Sequence, residues 1–195
     1  MPLILETVVT TRNADGSHHL APYGLIQDGA GYVIAPFHPS PAIQNLRRHP
    51  FAAAAAPTDL RVIAGAVTGR RDWPVTSCER IDLMRLADAF GHMELEVESV
   101  TEDELRPRFR CKVVHSASHR PFVGYNRAQA AIIEGAILST RLNLLPREKI
   151  EAEMAYLRIA ISKTAGPVEQ EAWGWIDETI GAGLAGRHTP DECDR

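Results

Sequence analysis

Thr7-Val8-Val9-Thr10-Thr11-Arg12-Asn13-Ala14-Asp15-Gly16-Ser17-His18-His19-Leu20-Ala21-Pro22-Tyr23-Gly24 is the stretch whose reading decides the fold. Thr7 to Thr11 form an unbroken β-branched run, whose stiff side chains suit a pleated, half-buried surface. Asp15-Gly16 supplies the positive-φ residue that a tight reversal needs. The second limb ends in Ala-Pro-Tyr-Gly, where proline withdraws a ladder donor and glycine permits close backbone approach. Taken alone, this hairpin predicts a β protein.

Working outward, short strands with turns dominate from Ile4 to His119 and helical patterns from Asn126 to Leu184. Gly31 to Phe37 reads as a third strand, stopped by His38-Pro39-Ser40-Pro41. Ser40 is a good N-cap and Pro41 suits the first helical position, so Ala42 to Arg48 is expected to be a short helix. Phe51 to Ala56 leans to strand despite its alanines, and Asp59 to Ala66 leans to helix. Trp73-Pro74-Val75 and the acidic-polar segment to Asp82 read as a connection leading into Ile81 to Asp88. In His92 to Ser99, Met93, Leu95 and Val97 alternate with Glu94, Glu96 and Glu98, predicting a sheet with one wet face. Arg108 to His115 is the strand that follows.

Asn126 with Gln129 fits a capping box, followed by an apolar stripe of Ile132, Ile133, Ala136, Ile137 and Thr140. Leu145-Pro146 restarts the chain into a helix with Ile150, Met154, Leu157 and Ile161 on one face. Gly166-Pro167 opens another, with Val168, Ala172, Trp175, Ile176 and Ile180 toward its core. The stretch from Gly181 onward is small, polar and charged, and is expected to fray. The division that follows is a barrel domain over 1–122, a helical extension over 123–185 packed on it and at a dimer interface, and a flexible tail over 186–195.

With 195 residues the chain can bury a real core, and its 45% hydrophobic and 24% charged residues are those of a globular protein. A net charge of −4 gives no broad attraction to nucleic acid or to an anionic membrane, so neither is an expected partner. Cys78, Cys111 and Cys193 are irregularly spaced and write no disulfide framework, which fits a reducing cytoplasm. The first residues lack a basic leader and no segment approaches a membrane span.

Among residues able to carry chemistry, Thr10, Thr11 and Arg12 leave the first strand near the turn, while Pro22, Tyr23 and Gly24 end the second beside its start. That separation argues against all six touching one ligand. Phe37 to Leu46 is the strongest anion-binding segment, because free N–H groups follow Ser40; simple capping is the alternative. Arg47 and Arg48 are candidates to support a phosphate. Arg127, a cation at a helix start, calls for an acidic or anionic partner. Arg141, seven residues after Glu134 on about the same face, is within range of a flavin, a partner subunit or Glu134, and a structural ion pair is the expectation. Cys111, His115 and His119 recur at steps of four, but in extended chain each step is about 13 Å. No metal site is therefore expected, and no nucleophile elbow, phosphate-binding P-loop or dinucleotide fingerprint is present.

Three segments together, Val8 to Leu25, Ser40 to Leu46 and Asn126 to Leu142, resemble an uncharacterised family of archaeal and bacterial flavoproteins. That family lies within the flavin reductase and pyridoxamine-phosphate oxidase superfamily. The resemblance runs from the first strand to the helix of Trp173-Gly174-Trp175. It implies an α+β fold, a split β-barrel with a C-terminal helical extension, acting as a homodimer with FMN near the subunit interface. The family's Ser-x-Thr-x-x-Asn-Leu phosphate segment maps onto Ser40, Ala42, Asn45 and Leu46, and Ala42 departs from it by lacking a hydroxyl. The flavin-contact set implied here is Thr10, Thr11, Arg12, Pro22, Tyr23, Gly24, His38, Ser40, Asn45, Asn126 and Arg127. The implied activity is oxidation or reduction of a small molecule, in a setting of tetrahydromethanopterin-linked one-carbon metabolism. A flavin carrier and a cofactor-less interaction dimer are the alternatives.

Overall fold

The computed structural model describes residues 2–186. The described residues form two compact units, one of residues 2–59 and 71–123, the other of residues 60–70 and 124–186.

The first unit is a closed six-stranded barrel. Strands β1 (Ile4–Arg12), β2 (His18–Asp28), β3 (Gly31–Ile34), β4 (Phe51–Pro57), β7 (Ala89–Thr101) and β8 (Arg108–Ser118) close in the order β1-β2-β3-β8-β7-β4. All of its pairings are antiparallel. The deciding hairpin forms as read. Arg12 pairs with His18, Gly16 takes a φ of 87°, and Asp15 Oδ1 accepts from the Ser17 amide at 2.9 Å and its hydroxyl at 2.6 Å. Val9, Leu25, Ile34, Ala52, Ala54, Leu95 and Phe109 fill the barrel, joined by Ile43 and Leu46 of the short helix α1 (Pro41–Arg48).

The Phe51 strand forms, and four of its five alanines, Ala52 to Ala55, are buried, because small side chains suit a strand covered on both faces. The third strand stops at Ile34 rather than Phe37. The connection from Trp73 and the Ile81–Asp88 stretch it leads into pair as a two-stranded sheet, β5 (Val75–Ser77) with β6 (Met84–Leu86).

The second unit is helical: α2 (Arg61–Val67), α3 (Arg127–Ser139), α4 (Arg147–Thr164) and α5 (Pro167–Ala185). Asn126 caps α3 as expected, accepting from the Ala128 amide at 2.8 Å, but Gln129 does not return to it. Its amide donates instead to Glu169 of α5 at 3.2 Å, while Glu169 also accepts from the Gly166 amide and so caps α5. Gly135 lets α3 and α5 close on each other, since a Cβ there would lie 3.0 Å from Trp173 and 3.1 Å from Ile176. Trp173 therefore takes the deep position expected of Trp175. Trp175 stacks under the Arg70 guanidinium at 4.3 Å, and Val168 is exposed. α5 remains helical through Ala185 where fraying was expected, and the rest of the expected tail, 187–195, lies outside the described residues. Among the described residues Glu134 and Arg141 do not pair, and no helix is long and apolar enough to cross a membrane.

Candidate functional site

In the barrel unit, polar side chains converge where α1 meets the first hairpin. Ser40 caps α1 in an extended conformation, its hydroxyl accepting from the Ala42 amide over a long 3.3 Å. The Tyr23 hydroxyl reaches that same Ser40 oxygen at 2.7 Å. Burial raises the Tyr23 phenol above its ordinary value, with Ser40 pulling weakly the other way, so the ring is neutral and able to donate. Asn45, buried on α1, donates to Thr11 Oγ1 at 3.0 Å and to Asn13 Oδ1 at 2.9 Å. Its own oxygen accepts from Arg48 at 2.9 Å.

Tyr23, Ser40, Thr11 and Asn45 are thus gathered around one helix, and Arg12 borders them through its carbonyl, 3.5 Å from the Arg48 guanidinium. Thr10, next to Thr11 on a strand, points to the opposite face, and its buried hydroxyl has no hydrogen-bond partner within the protein. Pro22 and Gly24 likewise alternate away from Tyr23. A Cβ on Gly24 would meet Ile4 at 2.6 Å, so the close approach there is made by the chain itself. His38 is exposed just before the cap, its amide donating to the Leu105 carbonyl at 2.9 Å. Asn126 and Arg127 stand in the helical unit. There the Asn126 side chain is spent on capping α3 and on the Thr164 carbonyl, and Arg127 is exposed.

Arg47 and Arg48 lie in the last turn of α1, away from its amide end, with Arg47 held by Glu102 at 2.6 Å. The cation beside the Phe37–Ser40 segment is instead Arg106. Its guanidinium sits 4.6 Å over the exposed Phe37 ring and donates to the Ala35 carbonyl at 2.7 Å. Arg106 lies 71 residues from that carbonyl in sequence, so local patterning gives no sign of it. Two open clefts flank the barrel. One of about 500 Å³ is lined by Leu5, Thr7, Ala54, His92 and Met93, and one of about 450 Å³ by Arg12, His18, Cys78 and Asp82.

A second polar cluster stands on the outer face of β7 and β8. Glu94, expected on the wet face, is fully buried. It accepts from the backbone amides of Glu79, Arg80 and Ile81 at 2.5, 2.8 and 2.9 Å, and lies 3.3 Å from His92 Nε2. Burial pushes its carboxyl upward, but those three amides and His92 together outweigh it and hold the group below the usual carboxylate range. His92 Nδ1 is 2.9 Å from His119 Nε2, and the two rings stack. His115 Nε2 is 2.5 Å from Glu79 Oε2.

Comparison with known proteins places the chain in a family. The chain matches the model described as protein of unknown function (DUF447) N-terminal domain over residues 5–120, and the model described as protein of unknown function (DUF447) over residues 126–178. No curated protein matches the sequence. Among solved structures, an FMN-bound DUF447 protein from Methanosarcina mazei is similar with a TM-score of 0.79 at 17% identity, over 92% of this chain and 96% of that one. The 2-nitrobenzoate 2-nitroreductase of Pseudomonas fluorescens is similar with a TM-score of 0.51 at 20% identity, over 61% of this chain and 66% of that one. An FMN-binding protein from Thermus thermophilus, with bound p-hydroxybenzaldehyde, gives 0.51 at 14% identity, over 64% and 77%. At these identities the likeness is one of fold, and it matches the barrel with helical extension read from the sequence. With its barrel and its α3–α5 helices both matched, the chain belongs to the DUF447 family.

Proposed function

We propose that this protein binds FMN with its phosphate at the N-terminus of α1 and serves as an oxidoreductase for a small molecule, working as a homodimer in the cytoplasm. The observation that carries the reading is the Tyr23–Ser40 hydroxyl pair beside the first-turn amides of α1, which are held only by long bonds, Ala42 to the Ser40 hydroxyl at 3.3 Å and Ile43 to the Ser40 carbonyl at 3.2 Å. An N-terminus with no acidic residue in its first turn attracts an anion. Because Ser40 holds the Ala42 amide only at 3.3 Å, its hydroxyl has little to lose by turning to a phosphate oxygen, while Tyr23 donates to it from behind. Asn45 locks α1 to Thr11 and so fixes the direction in which the amides point. Arg12 and His38 border that region within the barrel unit. The FMN-bound Methanosarcina relative supports the same cofactor for this fold.

When bound, FMN supplies hydride or single-electron transfer, and the protein's part is to hold and orient it. Ala42 is fully buried and offers no hydroxyl, which leaves the phosphate one donor fewer and favours, as a second reading, a flavin carrier without turnover. Anaerobic mixing of the FMN-loaded protein with a nicotinamide or deazaflavin donor separates the two. Bleaching of the flavin absorbance with turnover on a reducible small molecule is expected of the oxidoreductase, pterin-type one-carbon intermediates being the first to screen. Bound flavin that no donor reduces would leave the carrier.

A further inference from the structure

We propose that Glu79, His92 and His115 form a binding site for a divalent transition-metal ion, with zinc the expected occupant. One ligand atom from each lies within 4.8 Å of the others. Two imidazole nitrogens and a carboxylate oxygen are a donor set that suits zinc, and such sites leave a further position for water. Ligands about 2.1 Å from a tetrahedral ion stand about 3.4 Å apart. His115 Nε2 and Glu79 Oε2, now 2.5 Å apart, part to admit the ion, and these two are the less enclosed groups. The His115 side chain is 24% exposed and that of Glu79 45%, whereas His92 is only 4% exposed and serves as the fixed member.

The surroundings hold this triad in place. Glu94 spends both oxygens on the amides of residues 79–81, which pins to the sheet the very segment that carries Glu79. His119 sits 2.9 Å from His92 Nδ1 and accepts that N–H in the metal-bound form, as the outer partner of a ligating histidine usually does, while His92 Nε2 exchanges its 3.3 Å contact with Glu94 for the ion. His115 reaches this face only through a β-bulge. Glu94 pairs with His115 but Leu95 with Val113, so Val114 is the extra residue and the side-chain alternation of β8 reverses there. Cys111, on the other side of the bulge, points into the barrel core. This proposal is independent of the flavin reading.

The test is titration of the full-length, chelator-treated protein with Co2+ alone, followed in the visible absorbance, and then displacement by Zn2+. One saturating equivalent per chain, abolished by Zn2+ and weakened more than about tenfold by Glu79→Gln and by His115→Gln, is expected. Glu79 is exposed and His115 half-buried, and unchanged circular dichroism verifies that both variants fold. Absence of saturable Co2+ absorbance, or absorbance that persists in both variants because other histidines supply it, would overturn the site.

Discussion

The Tyr23 hydroxyl on β2 lies 2.7 Å from the Ser40 hydroxyl at the cap of α1, joining the end of the deciding hairpin to the first turn of the helix that closes the barrel. Removing the phenolic oxygen in Tyr23→Phe keeps the ring's packing and leaves the cap intact. Its expected cost is about 0.5–1.5 kcal/mol, read from urea denaturation. A loss of several kcal/mol would mean that the pair carries far more of the fold than one hydrogen bond.

Glu94 gives the protein an acid-sensitive clamp. Its folded-state value is lowered, so the stability it contributes is fully present above its unfolded value of about 4.3 and is lost as the pH falls through the folded value. His92 acts in the same sense: burial foremost lowers its value, so it folds neutral, and protonation below about pH 6.5 opposes folding. Thermal midpoints should therefore fall steadily on acidification. Glu94→Gln should cost about 2 kcal/mol or more at neutral pH, since its NH2 group would face backbone donors, and should flatten the lower part of the acid limb. A variant as stable as the parent at neutral pH would contradict this.

Gly135→Ala sets two effects against each other. Alanine favours the helix by about 1 kcal/mol, but its methyl would press on buried Trp173 and Ile176, and overpacking costs about 1–3 kcal/mol. Both neighbours are buried, so a net loss of about 1 kcal/mol is expected. Calorimetry or chemical denaturation reads the sign directly, and a stabilised variant would show that the α3–α5 contact is looser than described.

The thiols of Cys78 and Cys111 should be poor nucleophiles in the folded protein. Burial, then the negative charge of Glu94, pushes Cys78 up to about 12, and burial, then Glu98, does the same for Cys111. Alkylation at about pH 8, mapped by mass spectrometry, should leave both unmodified until urea is added. Rapid labelling of either in the native state would be the contrary result.

Local chemistry carried most of the fold into the sequence. Asp15-Gly16 marked the hairpin tip, Ser40-Pro41 the start of α1, Leu145-Pro146 and Gly166-Pro167 the breaks between helices, because each signal depends only on residues within one turn. What escaped depends on neighbours distant in the chain. Glu94 looked solvated from its alternation, since the covering segment 79–81 becomes visible only when the connection folds back over β7. The bulge at Val114 has no local signature, so the step-of-four spacing of Cys111, His115 and His119 concealed that two of the three meet His92. Arg106 beside Phe37, and Gln129 turning to Glu169 instead of closing its own cap, are tertiary choices of the same kind.

The most direct test of the account is titration of FMN into the purified full-length protein, followed by flavin fluorescence, alongside Ser40→Ala. The account predicts saturable binding at one FMN per chain, weakened in the variant by about 1–3 kcal/mol, or roughly 5- to 150-fold in Kd. No saturable binding, or a Kd unchanged by Ser40→Ala, would contradict a phosphate site at the start of α1.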